Sequence, residues 1–150
     1  MTTTIRDYDP ALGMAFQGDV AIVPIPKDIP LDLRNEIPPT DHKLILQEGE
    51  LTGHHHAIEL NPLPRHRQPH GRRHRAQHPP SIRPPLPNTT QRALHYAGPR
   101  HYHPLKLLLI KVGPMCLLHP EHDGIRIPPG AYLIGRQVEA TATDERLVED

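Results

Sequence analysis

The sequence predicts an all-β fold, a small barrel or sandwich with a long irregular segment rich in proline, arginine and histidine. Twenty prolines among 150 residues exclude helix interiors and central strands from much of the chain. No long stretch has the 3.6-residue apolar period of a helix, whereas several short apolar runs end at glycine or proline. We therefore expect residues 1–150 to form a single β-rich domain, interrupted by the irregular segment 61–104.

The strands are expected in four stretches. Residues 16–26 contain a Gly-Asp turn followed by a short apolar run that ends at prolines, which predicts one strand. Residues 42–60 predict two strands with a Glu-Gly pair at or near their turn. Residues 105–118 contain enough Leu, Ile and Val for a strand covered on both faces, broken at a Gly-Pro pair. Residues 124–140 predict two more short strands around a Pro-Pro-Gly turn.

A net charge of zero hides three blocks of unequal charge. Residues 1–60 and 121–150 are acidic, whereas residues 61–120 hold ten basic residues and no acidic ones. Within residues 61–104 nearly every side chain is Arg, His, Pro, Gln or small, without apolar periodicity. Such a segment has few apolar groups to offset the entropy of ordering, so we expect it to be poorly ordered or irregular.

The most basic part of this segment is the run RHRQPHGRRHR at residues 65–75. Closely spaced guanidinium groups displace counterions from nucleic acid, and they also suit an acidic partner. A solvated irregular loop is the simpler interpretation of the same composition. The arginines concerned are Arg65, Arg67, Arg72, Arg73 and Arg75.

Histidines in the stretch EGELTGHHHAIEL provide the first half of a candidate metal site. In a strand, His54 and His56 point to the same side as Ile58 and Leu60, whereas His55 points to the other. If the apolar side faces the core, both imidazoles face inward, where an imidazole without a partner is costly. Two such rings can share a zinc, iron or manganese ion at about 2.0 to 2.1 Å.

The second half is the stretch LLHPEHDG, which follows the apolar run 105–118. A His-x-x-His pair in a turn can close on one ion, and Glu121 adds an oxygen donor or a general base. Ordinary hydrogen-bonded histidines are the alternative, since thirteen histidines will cluster to some extent by chance. The candidate ligands of a divalent metal are His54, His56, His119 and His122.

Two classes of function follow from these residues. As an enzyme, the protein would be a metal-dependent hydrolase or oxygenase, with a metal-bound water and Glu121 as the base. As a non-catalytic binding or interaction module, it would use the same histidines for structure or recognition. The single cysteine, Cys116, excludes an internal disulfide and lies in an apolar run that disfavours a thiolate. Charges near the N-terminus and the absence of a membrane-length apolar stretch lead us to expect a cytoplasmic location without membrane contact.

Four blocks of the chain resemble those of a family of short uncharacterised bacterial proteins, with the pattern QGDV, EGE-x-TGH-x-H, H-x-EH and LPPG-x-Y-x-V-x-RQ-x-E. The resemblance implies that His55 falls at a variable position, whereas both histidine pairs belong to a shared pattern together with Glu121, Arg136, Gln137 and Glu139. Ala140 departs from the pattern, where an aromatic residue is usual. The matching blocks are Gln17–Val20, Glu48–His56, His119–His122 and Pro128–Glu139.

A weaker resemblance is to the cupins, small β-barrels that combine an H-x-H-plus-glutamate motif with a later P-x-G turn and histidine. Glu59 and the turn at 128–130 match part of this pattern. In a regular strand Glu59 points away from His56, and no histidine follows Gly130. A bulge would be needed to place Glu59, and His119 or His122 would have to supply the missing ligand.

Segment 61–104 resembles no part of the family pattern, and two explanations stay open. Two compensating frameshifts in a G+C-rich gene would substitute Arg, Pro and His for Val, Asp and Gly; alternatively the segment is a genuine insertion. The frameshift hypothesis predicts that an alternative frame across codons 61–104 is open and encodes strand-like alternation. Sequencing the gene checks this, and two alternative frames without such a stretch would establish an insertion.

Overall fold

Strands account for nearly all regular structure in the computed structural model, which describes residues 4–49, 53–60, 79–85, 101–140 and 145–147. These residues contain no α-helix, and a short 3-10 turn lies at Pro10–Leu12. No helix in this part of the chain is long and apolar enough to cross a membrane. The all-β prediction is therefore confirmed. The strands are β1 (Ile5–Asp7), β2 (Ala15–Gln17), β3 (Val20–Pro24), β4 (Lys43–Glu48), β5 (His55–Glu59), β6 (Ser81–Arg83), β7 (His101–Ile110), β8 (Met115–Leu118), β9 (Gly124–Ile127), β10 (Gly130–Ala140) and β11 (Glu145–Leu147).

The strands assemble into two sheets. The first sheet has the order β1-β9-β8-β5-β4, in which β1 runs parallel to β9 and the other neighbours are antiparallel. The second sheet has the order β2-β3-β10-β7-β6, with β11 also paired to β10, and is antiparallel throughout. The sheets face each other as a sandwich and do not close into a barrel.

A continuous apolar core fills the space between the sheets. It forms because alternate residues of each strand point inward, as Val20 and Ile22 do on β3 and Tyr132 and Ile134 do on β10. Burial of these side chains is the main force that holds the sheets together. The core residues are Val20, Ile22, Leu44, Leu46, Ile58, Ile82, Leu108, Ile110, Leu117, Ile125, Ile127, Tyr132 and Ile134.

A second, smaller apolar cluster covers the outer face of the second sheet. Val23, Leu107 and Leu133 point outward from three neighbouring strands and pack with Ile25. The chain after β3 contributes further apolar contacts, including Ile29. This explains why β7 is apolar on both sides, and it confirms the predicted strand covered on both faces.

Two glycines allow the turns that carry the polar end of the sandwich. Gly18 has φ +57° in the two-residue turn between β2 and β3, the first-position glycine that is typical of a type II′ hairpin. The amide of Gly49, just after β4, donates to the carbonyl of His54 at 2.7 Å. A Cβ on Gly49 would overlap that carbonyl oxygen, so no larger residue fits.

Segment 61–104, which was expected to be poorly ordered or irregular, contains strand structure in two places. Ser81–Arg83 forms β6, which pairs with β7, and β7 itself begins at His101. Ile82 is 1% exposed, and its carbonyl accepts a hydrogen bond from the Ile37 amide at 2.8 Å. A three-residue strand carries no periodic signal of its own, because its partner strand supplies both the hydrogen bonds and the packing. Residues 61–78 and 86–100 lie outside the described residues.

The remaining element boundaries follow the sequence closely. The apolar run 105–118 is broken before Met115, and its two parts, β7 and β8, belong to different sheets. The turn at 128–130 separates β9 from β10 as predicted, but β10 is eleven residues long rather than short. The strand β10 is stabilised along its length because it pairs with β3, β7 and β11.

Replacing Ile82 by alanine tests whether β6 is part of the core. We expect Ile82→Ala to lower the free energy of unfolding by about 2 to 4 kcal/mol, because it leaves a cavity between the sheets. Urea denaturation measures the change. Leu12→Ala is the control, because Leu12 is 87% exposed and its truncation should change stability by less than about 0.5 kcal/mol.

Candidate metal centre

The pairing of β5 with β8 brings the two halves of the predicted site together. The strands are antiparallel, with Ala57 opposite Leu118. Continuing this register by one residue places His56 beside His119, just past the last strand pair. The two imidazole rings stack there, with centroids 4.3 Å apart and planes inclined by 27°. Residues that are far apart in sequence thus meet at one end of the sandwich.

The other predicted residues lie around this stacked pair. The ring of His122 lies 4.5 Å from that of His119 and 6.0 Å from that of His56. The ring of His54 lies edge-on to that of His119, with centroids 6.0 Å apart. Its Nδ1 is 3.5 Å from Oε1 of Glu121, which is the cross-strand neighbour that the same register predicts. The expected proximity of both histidine pairs and Glu121 is therefore present.

The inward direction of the β5 side chains also agrees with the alternation in sequence. His56 and Ile58 are 2% and 1% exposed, and both point between the sheets. His54 precedes the strand and is half-buried at the mouth of the cluster. His55 points to the opposite side, together with the exposed Glu59.

Gln17 on β2 orients the ring of His56. Its side-chain nitrogen donates to the carbonyls of Leu117 at 3.0 Å and Asp123 at 2.8 Å, so its oxygen is left to accept. That oxygen lies 2.8 Å from Nδ1 of His56, which must therefore be the donor. The buried amide thus fixes both the direction of the ring and the position of its hydrogen.

Asp19, in the turn between β2 and β3, places a buried carboxylate beside the same ring. Its Oδ2 accepts hydrogen bonds from Nε2 of Gln47 at 3.0 Å and from Nε of Arg136 at 3.1 Å. Its Oδ1 lies 3.4 Å from Nε2 of His56. The Asp19 and Arg136 side chains are 2% and 8% exposed, so removing one partner would leave the other charge buried.

Sequence reasoning did not assign Gln17, Asp19 or Gln47 to the site. Gln17 and Asp19 belong to the QGDV block, which was a signal that could have found them. Gln47 carried no such signal, because it reaches Asp19 through a bulge in β4, where the register with β5 shifts between Ile45 and Gln47. The bulge allows both Leu46 and Gln47 to face the interior.

The bulge is also bridged from the opposite sheet. The amino group of Lys106 on β7 donates to the carbonyl of Ile45. Burial lowers the pKa of Lys106, and the nearby Glu48 carboxylate opposes that shift. This contact ties the irregular part of β4 to the second sheet beside the polar cluster.

The nitrogens of the stacked histidine rings do not point at one common position where a metal ion could lie. Nδ1 of His119 accepts a hydrogen bond from the amide of Glu121 at 3.1 Å, so the neutral ring carries its hydrogen on Nε2. His119 could therefore bind a metal through Nε2 only after the Glu121 amide releases Nδ1 and the ring hydrogen moves to Nδ1. Across the described ranges, no group of three or more His, Cys, Asp and Glu side chains is arranged to hold a metal ion.

A cleft of about 390 Å³ lies against the cluster on the outer side of the first sheet. His54 and His119 line it together with Lys43 and Glu59, whose charged groups are 3.9 Å apart. His55 also lines the cleft. The cleft therefore gives a small molecule access to two rings of the cluster.

Two interpretations of the sequence, the basic run as a binding segment and the cupin resemblance, receive no support from the described residues. The basic run 65–75, with its five arginines, lies outside the described residues. The cupin resemblance receives no support, because Glu59 is exposed, points away from His56 and pairs with Lys43.

The fold and site together define an all-β sandwich protein with a buried histidine and carboxylate cluster at one end. The chain belongs to the family described as Domain of unknown function (DUF8820), whose profile matches residues 16–137. No curated protein and no solved structure matches the chain.

Replacing Gln17 by alanine tests its role as the support of His56. We expect Gln17→Ala to lower the free energy of unfolding by about 2 to 4 kcal/mol, because two buried hydrogen-bonding groups and one part-buried carbonyl lose their partner. The His56 ring should also lose its single tautomer, which ¹⁵N NMR of the imidazole nitrogens detects.

The control for this prediction is Asp123→Ala. Asp123 contacts Gln17 only through its main-chain carbonyl, which the substitution retains, and its side chain is exposed. Equal losses of stability in the two variants would contradict the assigned role of the Gln17 amide.

Proposed function

We propose that the cluster of His54, His56, His119 and His122 binds a divalent metal ion and that the protein is a metal-dependent hydrolase. The observation that carries this proposal is the meeting of both histidine pairs at one end of the sandwich, beside a buried carboxylate. Imidazole and carboxylate groups together suit zinc, iron and manganese.

The orientation of His56 supports metal binding. Metal-bound histidines usually donate their second ring nitrogen to a fixed acceptor, which keeps the ligating nitrogen deprotonated. The Gln17 oxygen is such an acceptor for Nδ1 of His56, at 2.8 Å. Nε2 of His56 is therefore already in the form that a metal requires.

The surroundings of the cluster support a hydrolytic reaction. A bound ion lowers the pKa of a coordinated water, and a nearby carboxylate can accept the proton. The Glu121 side chain is more than half exposed, and its Oε1 lies 3.5 Å from Nδ1 of His54, which is one of the residues that line the cleft. An oxygenase would use the same ligands with iron, but Glu121 in the position of a base favours hydrolysis.

A non-catalytic binding module is the second candidate. The observation in its favour is that the rings stack in pairs at 4.3 and 4.5 Å, an arrangement that leaves no ready set of three metal ligands in the described part of the chain. In that case the cluster would stabilise the end of the sandwich and recognise a ligand through the cleft. A cytoplasmic location remains part of the proposal, because the single cysteine requires no oxidising compartment.

Metal analysis of His56→Ala and His55→Ala tests the proposal. We expect the wild-type protein to bind one equivalent of Zn²⁺, Fe²⁺ or Mn²⁺, and His56→Ala to reduce the affinity by more than about tenfold, because a ligand is lost. His55→Ala is the matched control and should change the affinity little, because its side chain points to the opposite side of β5. Elemental analysis and titration calorimetry measure both quantities.

Wild-type protein without stoichiometric metal after incubation with each of the three ions would rule out the hydrolase and leave the binding module. Equal effects of the two substitutions would show that any bound ion lies elsewhere.

A further inference from the structure

The cleft on the outer side of the first sheet carries a pair of opposite charges at one end. Lys43 on β4 and Glu59 on β5 lie opposite each other in the strand register. Their charged atoms are 3.9 Å apart, which is longer than the roughly 3.2 Å limit of a hydrogen bond. The two side chains are 46% and 43% exposed, so the pair gains little from its own contact and can open for a ligand at little cost.

An apolar stretch separates this charged pair from the histidine cluster. Ala57 and Leu118 are cross-strand neighbours that both line the cleft, and Ala57 lies two residues along β5 from Glu59. His54 and His119 line the other end. Three residues of β5 separate Glu59 from the level of His119, which is a distance of about 10 Å. The cleft is therefore elongated, with charge at one end and imidazole at the other.

The two charges select a ligand that carries both signs close together. A ligand with a carboxylate alone would gain Lys43 but lie against Glu59, and an ammonium alone would meet the reverse repulsion. The ammonium and carboxylate of a free α-amino acid are attached to one carbon atom, so they can pair with both side chains at once. We propose that the cleft binds α-amino acids with a long side chain, whose end reaches His54 and His119. A volume of about 390 Å³ suits a small molecule of this kind.

This inference deepens the proposed function by naming its substrate class. The binding step depends only on the cleft, whereas the reaction rests on the proposed function. In the reaction, an amide at the end of the ligand's side chain lies beside His54 and His119 and is hydrolysed. The oxygen of water bonds to the acyl carbon and the carbon–nitrogen bond breaks. One proton of the water passes to the nitrogen, which leaves as an amine, and the acyl group leaves as a carboxylic acid.

Titration calorimetry of the full-length, metal-free protein with three matched probes tests the binding step. Nε-acetyl-L-lysine carries both charges, ε-acetamidocaproate lacks the ammonium group, and N-acetylcadaverine lacks the carboxylate. We expect the first probe to bind and the other two to bind at least about fivefold more weakly, because each loses one charge-assisted hydrogen bond. Equal affinities for the three probes, or no detectable binding of Nε-acetyl-L-lysine, would overturn the inference.

Substitutions in the charged pair provide the matched test on the protein. Glu59→Gln should weaken the binding of Nε-acetyl-L-lysine at least about fivefold and leave ε-acetamidocaproate bound no more weakly, because only the ammonium contact is lost. Lys43→Gln should weaken the binding of both probes. Asp32→Asn is the control, because it breaks an exposed ion pair with Arg34 outside the cleft and should change the affinity by less than about twofold. Equal effects of Glu59→Gln and Asp32→Asn would contradict the proposal.

Metal analysis separates this inference from the proposed function. Wild-type protein that binds Nε-acetyl-L-lysine but no Zn²⁺, Fe²⁺ or Mn²⁺ would keep the ligand class and remove the hydrolase. Protein that binds one of these ions but does not discriminate between the probes would keep the metal site and overturn the inference. With metal bound, we expect release of acetate from Nε-acetyl-L-lysine, and binding of this probe without release of acetate would overturn the reaction step.

Discussion

The buried amide of Gln17 is the contact on which the polar end of the sandwich depends. It belongs to the second sheet, yet it bonds to β8, to the loop after β8 and to His56 on β5, all in the first sheet. Apolar packing holds the two sheets together without specifying direction, whereas these three hydrogen bonds have defined geometry. The hydrogen bonds of this amide therefore fix the position of the His56 ring, which apolar packing alone would not do.

Strand register is the second constraint on the cluster. The antiparallel pairing of β5 with β8 sets His56 beside His119 and His54 beside Glu121, whatever the other strands do. Register is specified here because Ile58 must reach the core, and a slip of one residue would turn it to the outer face. The hydrophobic core thus positions the polar site.

The cluster combines features that serve metal binding with features that oppose it. The single tautomer of His56 and the buried carboxylate of Asp19 beside it are features that metal sites share. The hydrogen bond from the Glu121 amide to His119 and the stacking of His119 between two rings favour a metal-free, neutral arrangement. Binding an ion would therefore require less rearrangement at the strand residues than in the loop, because the strand residues are held by two sheets.

The sequence by itself determined the all-β class, the inward face of β5 and the histidines that gather at the site. These features follow from periods of two residues and from turn residues, which are local properties of the chain. The strand β6 was missed, because three residues such as those around Ile82 show no period and gain their stability from β7. Only the tertiary structure decided that Asp19 lies against His56 and that Gln47 reaches it through a bulge. Those contacts depend on the distance between two sheets and on a one-residue shift of register, and neither quantity is encoded in the pattern of any single strand.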